Sequence, residues 1–172
     1  MQPAANSQLI IQVIGYKNTG KTTLVCRLTE RFKREGYKVG TIKRDAHDFQ
    51  IDKPGTDTWK HQAAGADLTA ITSASRTAIM KAYPESLEQL IAQMTEADVI
   101  LIEGFKNAPY PKIIMLRSEA DFVLLAPASN PIAAAIWPEL CAAHIKDCST
   151  PMIAIDDTDQ LFQMILKSST HQ

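Results

Sequence analysis

The chain is poor in cysteine. Cys26, Cys141 and Cys148 are all it has in 172 residues. They are odd in number and show no C-x-x-C spacing, which speaks against a disulfide framework or a cysteine zinc site and makes the cytoplasm the default compartment. Cys26 falls within a helical apolar pattern and is expected to be a small buried hydrophobe. No apolar run reaches the length needed to span a bilayer. Residues 1–7 lack the basic and apolar regions of a secretory signal and are expected to be disordered. The net charge is −1, so no global attraction to nucleic acid or an anionic membrane is expected. The arginines, Arg27, Arg31, Arg34, Arg44, Arg76 and Arg117, are scattered.

What remains is an ordinary globular composition, 45% hydrophobic and 22% charged. Its length suits one domain, taken as residues 1–172. Leu9–Ile14 reads as a strand. Residues 21–35 read as a helix with Leu24, Val25, Leu28 and Phe32 on one face, stopped by Gly36. Val39–Ile42 is a short strand, and residues 44–56 form a long polar loop. Asp57 or Thr58 is expected to cap a short helix ending near Gly65. Strands are predicted at 68–72, 77–80, 99–102, 113–116, 122–125 and 152–155, and helices at 85–96 and after Asp157 or Thr158. Residues 132–146 fit either state. This alternation predicts an α/β fold with a mainly parallel sheet flanked by helices and some antiparallel strands. Ligands in such sheets bind beyond the carboxyl ends of the strands. Gly15, Lys43 and Glu103 each follow a predicted strand and so are expected on one rim.

The strongest motif is Gly15-Tyr16-Lys17-Asn18-Thr19-Gly20-Lys21-Thr22-Thr23, which meets G-x-x-x-x-G-K-[ST] at every fixed position. It lies between a strand and a helix, the context that makes it a phosphate-binding loop. Gly15 and Gly20 let backbone N–H groups approach phosphate oxygens. The helix start adds partial positive charge. Lys21 can reach the outer phosphates, and the Thr22 hydroxyl is placed to ligate magnesium.

Other residues are less specific. Glu103 ends a buried run where P-loop proteins hold magnesium or orient water. Lys43 and Arg44 are candidates for phosphate or an anionic partner, and Asp45 for magnesium. His47 is open between ligand contact and a solvated loop residue. Trp59 suits core or interface better than catalysis. Asn130 lies where a purine edge could be read, or in an ordinary turn. The guanine signature N-K-x-D is absent, since Ile42-Lys43-Arg44-Asp45 comes too early in the chain.

Four stretches together resemble the MobB family of molybdopterin-guanine dinucleotide biosynthesis adaptor proteins. They are Gly15–Thr23; Lys43-Arg44-Asp45-Ala46-His47-Asp48-Phe49; the Pro54–Ala66 segment with Pro54, Gly55, Asp57, Trp59, His61, Ala63, Ala64, Gly65 and Ala66; and Ile102-Glu103-Gly104-Phe105-Lys106. Pro111-Lys112-Ile113-Ile114 fits the same pattern. The resemblance spans nearly the whole chain and implies a P-loop NTPase-like fold, GTP binding with weak GTPase activity, and a homodimer. It further implies assistance to the guanylyltransferase MobA, which attaches GMP to molybdopterin, with molybdopterin itself an open candidate contact. Carried over by position, Gly15, Lys17, Asn18, Thr19, Gly20, Lys21, Thr22 and Thr23 would hold the phosphates. Thr22, Asp45 and Glu103 would surround Mg2+, and Lys21 and Glu103 would serve hydrolysis. Family members often carry His at the position of Arg44, and arginine there suits charge pairing with an anion. Two other readings differ in class. A small-molecule kinase on the same fold would need an arginine-bearing lid, which the scattered arginines do not form. A binding module would use nucleotide only to control docking.

Overall fold

A computed structural model describes residues 8–45, 47–140 and 149–169. Residues 1–7, expected to be disordered, lie outside the described residues, as do Cys141 and Cys148 and the end of the ambiguous 132–146 segment. The described residues form two compact units, one within 1–44 and 94–172, the other within 45–93.

The larger unit is built on six parallel strands in the order β2-β5-β1-β6-β7-β8. They are β1 (Leu9–Ile14), β2 (Val39–Lys43), β5 (Val99–Glu103), β6 (Lys112–Leu116), β7 (Pro131–Ile136) and β8 (Met152–Ala154). Every residue of β5 and β6 is buried, as strands covered on both faces require. Alternate residues divide between the faces. Ile11, Val13, Val99, Leu101, Ile113 and Met115 face a core shared with Leu24, Leu28 and Phe32 of α1 (Lys21–Arg34) and with Leu161, Phe162 and Ile165 of α4 (Thr158–Ser169). Ile14, Ile114, Leu116 and Ala134 form a smaller core with Leu124 and Phe122.

The smaller unit holds α2 (Asp57–Ala63), the antiparallel pair β3 (Leu68–Thr72) and β4 (Thr77–Lys81), and α3 (Leu87–Ala92). Thr56, not Asp57 or Thr58, caps α2, its hydroxyl accepting the Trp59 N–H at 3.3 Å. Threonine there leaves Asp57 inside the first turn, where a carboxylate favours the helix dipole. Helix α3 is shorter than expected, with a reciprocal Ser86–Gln89 cap. Trp59 is exposed rather than core.

Two further expectations are corrected. Residues 122–125 are not a strand, because Glu119–Leu124 winds into a 3₁₀ turn. The Asp121 carboxylate accepts the N–H groups of Arg117 and Ser118 at 2.8 Å each, which turns the chain back straight after β6. Cys26 is exposed, because it lies on the helix face away from Leu24 and Leu28.

Buried polar groups shape the loop after β5. Gln12 Nε2 donates to Gly104 O at 3.2 Å and to Phe105 O at 2.7 Å. Lys112, fully buried, donates from Nζ to Ala108 O at 2.6 Å and to Ser129 Oγ at 3.1 Å. Burial pushes the Lys112 ammonium below the usual 10.5. Its removal takes the donor from the Ala108 carbonyl and leaves a void where a fully buried side chain stood, so Lys112→Ala is expected to cost about 3 kcal/mol of stability in denaturant unfolding. With the folded pKa lowered, the unfolded chain binds more protons, so this lysine makes stability rise with pH in the window just below 10.5. The variant is expected to lose that share of the slope.

Candidate functional site

The parallel register brings the predicted residues of the larger unit to one rim. Lys43 and Val13 lie level with Glu103 on either side of β5, and Gly15 follows β1 at the same end. Residues 15–20 then form a tight loop into α1. Asn18 (φ 63°) and Gly20 (φ 92°) are left-handed, a backbone alternation that turns successive N–H groups inward into an anion nest. Gly15 is required by space: a Cβ there would lie 2.6 Å from Thr19 Oγ1 and 2.8 Å from Met115 Cβ. Helix α1 has no side-chain N-cap and no acid in its first turn, so its leading N–H groups are left for an anion.

The side chains fit this reading. Thr22 Oγ1 donates to both Glu103 oxygens, at 2.9 and 3.0 Å. Lys43 Nζ is 3.5 Å from Glu103 Oε1. Glu103 is 7% exposed, so its charge is held by these two partners in a largely dry position. Lys21 Nζ donates to Tyr16 O at 2.6 Å across the loop. Burial foremost, and then the Lys106 and Lys43 ammoniums, lower the Lys21 pKa, while Glu103 opposes them. Lys106 Nζ lies 4.1 Å from the Tyr16 ring centre. Lys21 thus feels the Lys43 and Lys106 ammoniums against the single Glu103 carboxylate, an excess of positive charge that favours a polyanion.

Lys17 and Thr23 are exposed, as Thr22 is. The Arg44 guanidinium lies 5.4 Å from the Phe105 ring centre, and Arg44 N–H continues the ladder to Glu103 O at 3.0 Å. Asp45 and His47 belong to the other unit, where the Asp45 carboxylate accepts the His47 N–H at 3.2 Å. Asn130 precedes β7, at the opposite rim from the nest, and its side chain donates to Pro109 O at 2.6 Å, as the turn alternative expects. The sequence reading missed Trp137 and assigned Arg117 nothing. Trp137 Nε1 donates to Thr19 O at 2.9 Å, and Arg117 Nη1 to Asn18 O at 2.8 Å. Position was a signal for Arg117 alone, which immediately follows the strand expected at 113–116, whereas Trp137 lies in the segment 132–146 that fits either state.

The donor set suits a hard cation. A hydroxyl and a carboxylate are the oxygen ligands that magnesium accepts while keeping water and phosphate oxygens in its remaining positions. No group of three or more His, Cys, Asp or Glu gathers among the described residues, so a full protein cage of zinc type is not formed there.

Known proteins are similar to this chain in sequence and fold. Residues 10–137 match the family described as "MobB: Molybdopterin guanine dinucleotide synthesis protein B". A Bacillus subtilis protein named "Probable molybdopterin-guanine dinucleotide biosynthesis adapter protein" is 39% identical over 120 residues, covering 67% of this chain and 69% of its own. A Haemophilus influenzae molybdopterin-guanine dinucleotide biosynthesis adapter protein is 36% identical over 137 residues, or 73% and 77%. The crystal structure of Bacillus subtilis MobB superposes with a TM-score of 0.74 at 32% identity, covering 90% of this chain and 96% of that one. The match over residues 10–137 and the identity to these relatives show that the chain belongs to the MobB family.

Proposed function

We propose that this protein binds GTP with magnesium and serves as an adaptor in making molybdopterin guanine dinucleotide, assisting the guanylyltransferase MobA as it attaches GMP to molybdopterin. The observation that carries the nucleotide part is the joined Thr22–Glu103 pair at the mouth of a left-handed loop ringed by Lys21, Lys43 and Lys106. The relatives' names support the pathway.

In this reading the N–H groups of residues 15–23 and the Lys21 ammonium hold the phosphates. Thr22 and Glu103 would hold magnesium, which would supply charge neutralisation to the phosphates when bound. Asp45 enters only through the family resemblance. Hydrolysis would be water attack on the terminal phosphorus as its bond to the bridging oxygen breaks, releasing GDP and phosphate, with Glu103 orienting the water and Lys21 stabilising developing charge. Turnover is expected to be slow, as an adaptor needs to hold GTP longer than to consume it. The working form is proposed to be a cytoplasmic homodimer; among the described residues no helix is long and apolar enough to cross a membrane.

The test is a reconstituted reaction of guanylyltransferase, molybdopterin and GTP at limiting nucleotide. Adding this protein is expected to raise the yield of dinucleotide severalfold. No change in yield at any protein concentration would overturn the adaptor role.

A further inference from the structure

For the N–H groups of a phosphate loop to point inward, its carbonyls must point outward, and an outward carbonyl without a donor lets the peptide plane turn. The outward carbonyls at the tip of this loop are held from elsewhere in the larger unit. Arg117, directly after β6, takes Asn18 O at 2.8 Å. Trp137, directly after β7, takes Thr19 O at 2.9 Å. The Arg117 guanidinium lies 4.8 Å from the Trp137 ring centre, so the two donors brace each other. The Trp137 ring also backs the loop, since a Cβ placed at Gly20 would meet Trp137 Cζ2 at 3.4 Å. Asn18, at φ 63°, is a non-glycine residue in the left-handed region and needs such outside support.

We propose that Arg117 and Trp137 are positioning residues for the nucleotide: together they lock the Asn18 and Thr19 carbonyls outward and so keep the N–H nest formed before the phosphates arrive. The inference rests on the GTP-binding reading and adds to it where the loop's rigidity comes from. Acting through the loop, the pair is expected to favour GDP and GTP alike. A contact to the terminal phosphate would favour GTP only.

The test uses the full chain and titrates GDP and GTP into wild type, Arg117→Ala and Trp137→Phe. The Trp137→Phe change keeps the ring and removes only the donor. Each variant is expected to lose about tenfold in affinity, by the same factor for both nucleotides, as befits one lost hydrogen bond at a charged site. The double variant is expected to lose less than the product of the two, because both donors hold one stretch of backbone. Thermal unfolding of the nucleotide-free variants should stay near wild type, which a general structural role would not allow. Unchanged affinities in both variants, or a loss confined to GTP, would overturn the proposal. Wild-type protein that takes up neither nucleotide would instead refute the binding reading beneath it.

Discussion

Lys21→Ala is expected to weaken GTP binding by roughly a hundredfold, the effect of removing about 3 kcal/mol of charge-assisted contact from a partly dry site. The ammonium is held within the loop by its bond to Tyr16 O at 2.6 Å. Its pKa is lowered by burial first, then by Lys106 and Lys43, against the pull of Glu103. Phosphates arriving beside it favour its charged form and raise that pKa. Wild-type affinity is therefore expected to fall as pH rises through the lowered value, with proton uptake on binding there, and the alanine variant should show neither. Calorimetry in two buffers of different ionisation enthalpy measures this directly. Folding should survive. A lysine whose pKa drops on folding costs stability at pH below that value, so its loss does not undermine the fold at neutral pH. In the reconstituted guanylyltransferase assay the variant is expected to lose its stimulation. Full stimulation by a variant that cannot hold GTP would mean that the protein is a scaffold with a vestigial loop.

The second large effect is expected at Glu103. The carboxylate accepts the Thr22 hydroxyl through both oxygens and pairs with Lys43 at 3.5 Å. Glu103→Gln keeps the shape and one acceptor but removes the charge. Magnesium should then no longer strengthen GTP binding, and hydrolysis should drop by about a hundredfold, as expected when an orienting or basic group is lost. Lys21 loses the one group opposing the drop in its pKa, so the pH at which GTP affinity declines should move lower in this variant. A magnesium titration of GTP affinity in wild type and variant checks the first claim, and a hydrolysis time course the second. Magnesium dependence unchanged by the substitution would remove Glu103 from the metal site.

Much of this was legible in the sequence because the relevant signals are local. Glycine spacing, a lysine–threonine pair and a helix face with Leu24, Leu28 and Phe32 all follow from chain geometry over a few residues. The continuous apolar runs of β5 and β6 announced strands covered on both sides. Glu103 could be named because it ends such a run. The errors arose where an apolar tetrapeptide has no local mark of its conformation. Phe122-Val123-Leu124-Leu125 reads as a strand, but the Asp121 carboxylate, two bonds of 2.8 Å to the preceding backbone, winds it into a turn. Cys26 looked apolar by neighbourhood, yet helical phase puts it outside. Arg117 and Trp137 escaped notice for a different reason. Their partners are Asn18 and Thr19, about a hundred residues earlier, and only the order β1-β6-β7 in the sheet brings them beside the loop.

The Gly15–Thr23 loop with Thr22 and Glu103 is proposed to be a site for magnesium and a guanine nucleotide. The most direct measurement is a calorimetric titration of the full chain with GTP and with ATP, each with and without magnesium. GTP is expected to bind at one site per chain, more tightly than ATP, and more tightly with magnesium than without. Tighter binding of ATP, or GTP binding indifferent to magnesium, would contradict it.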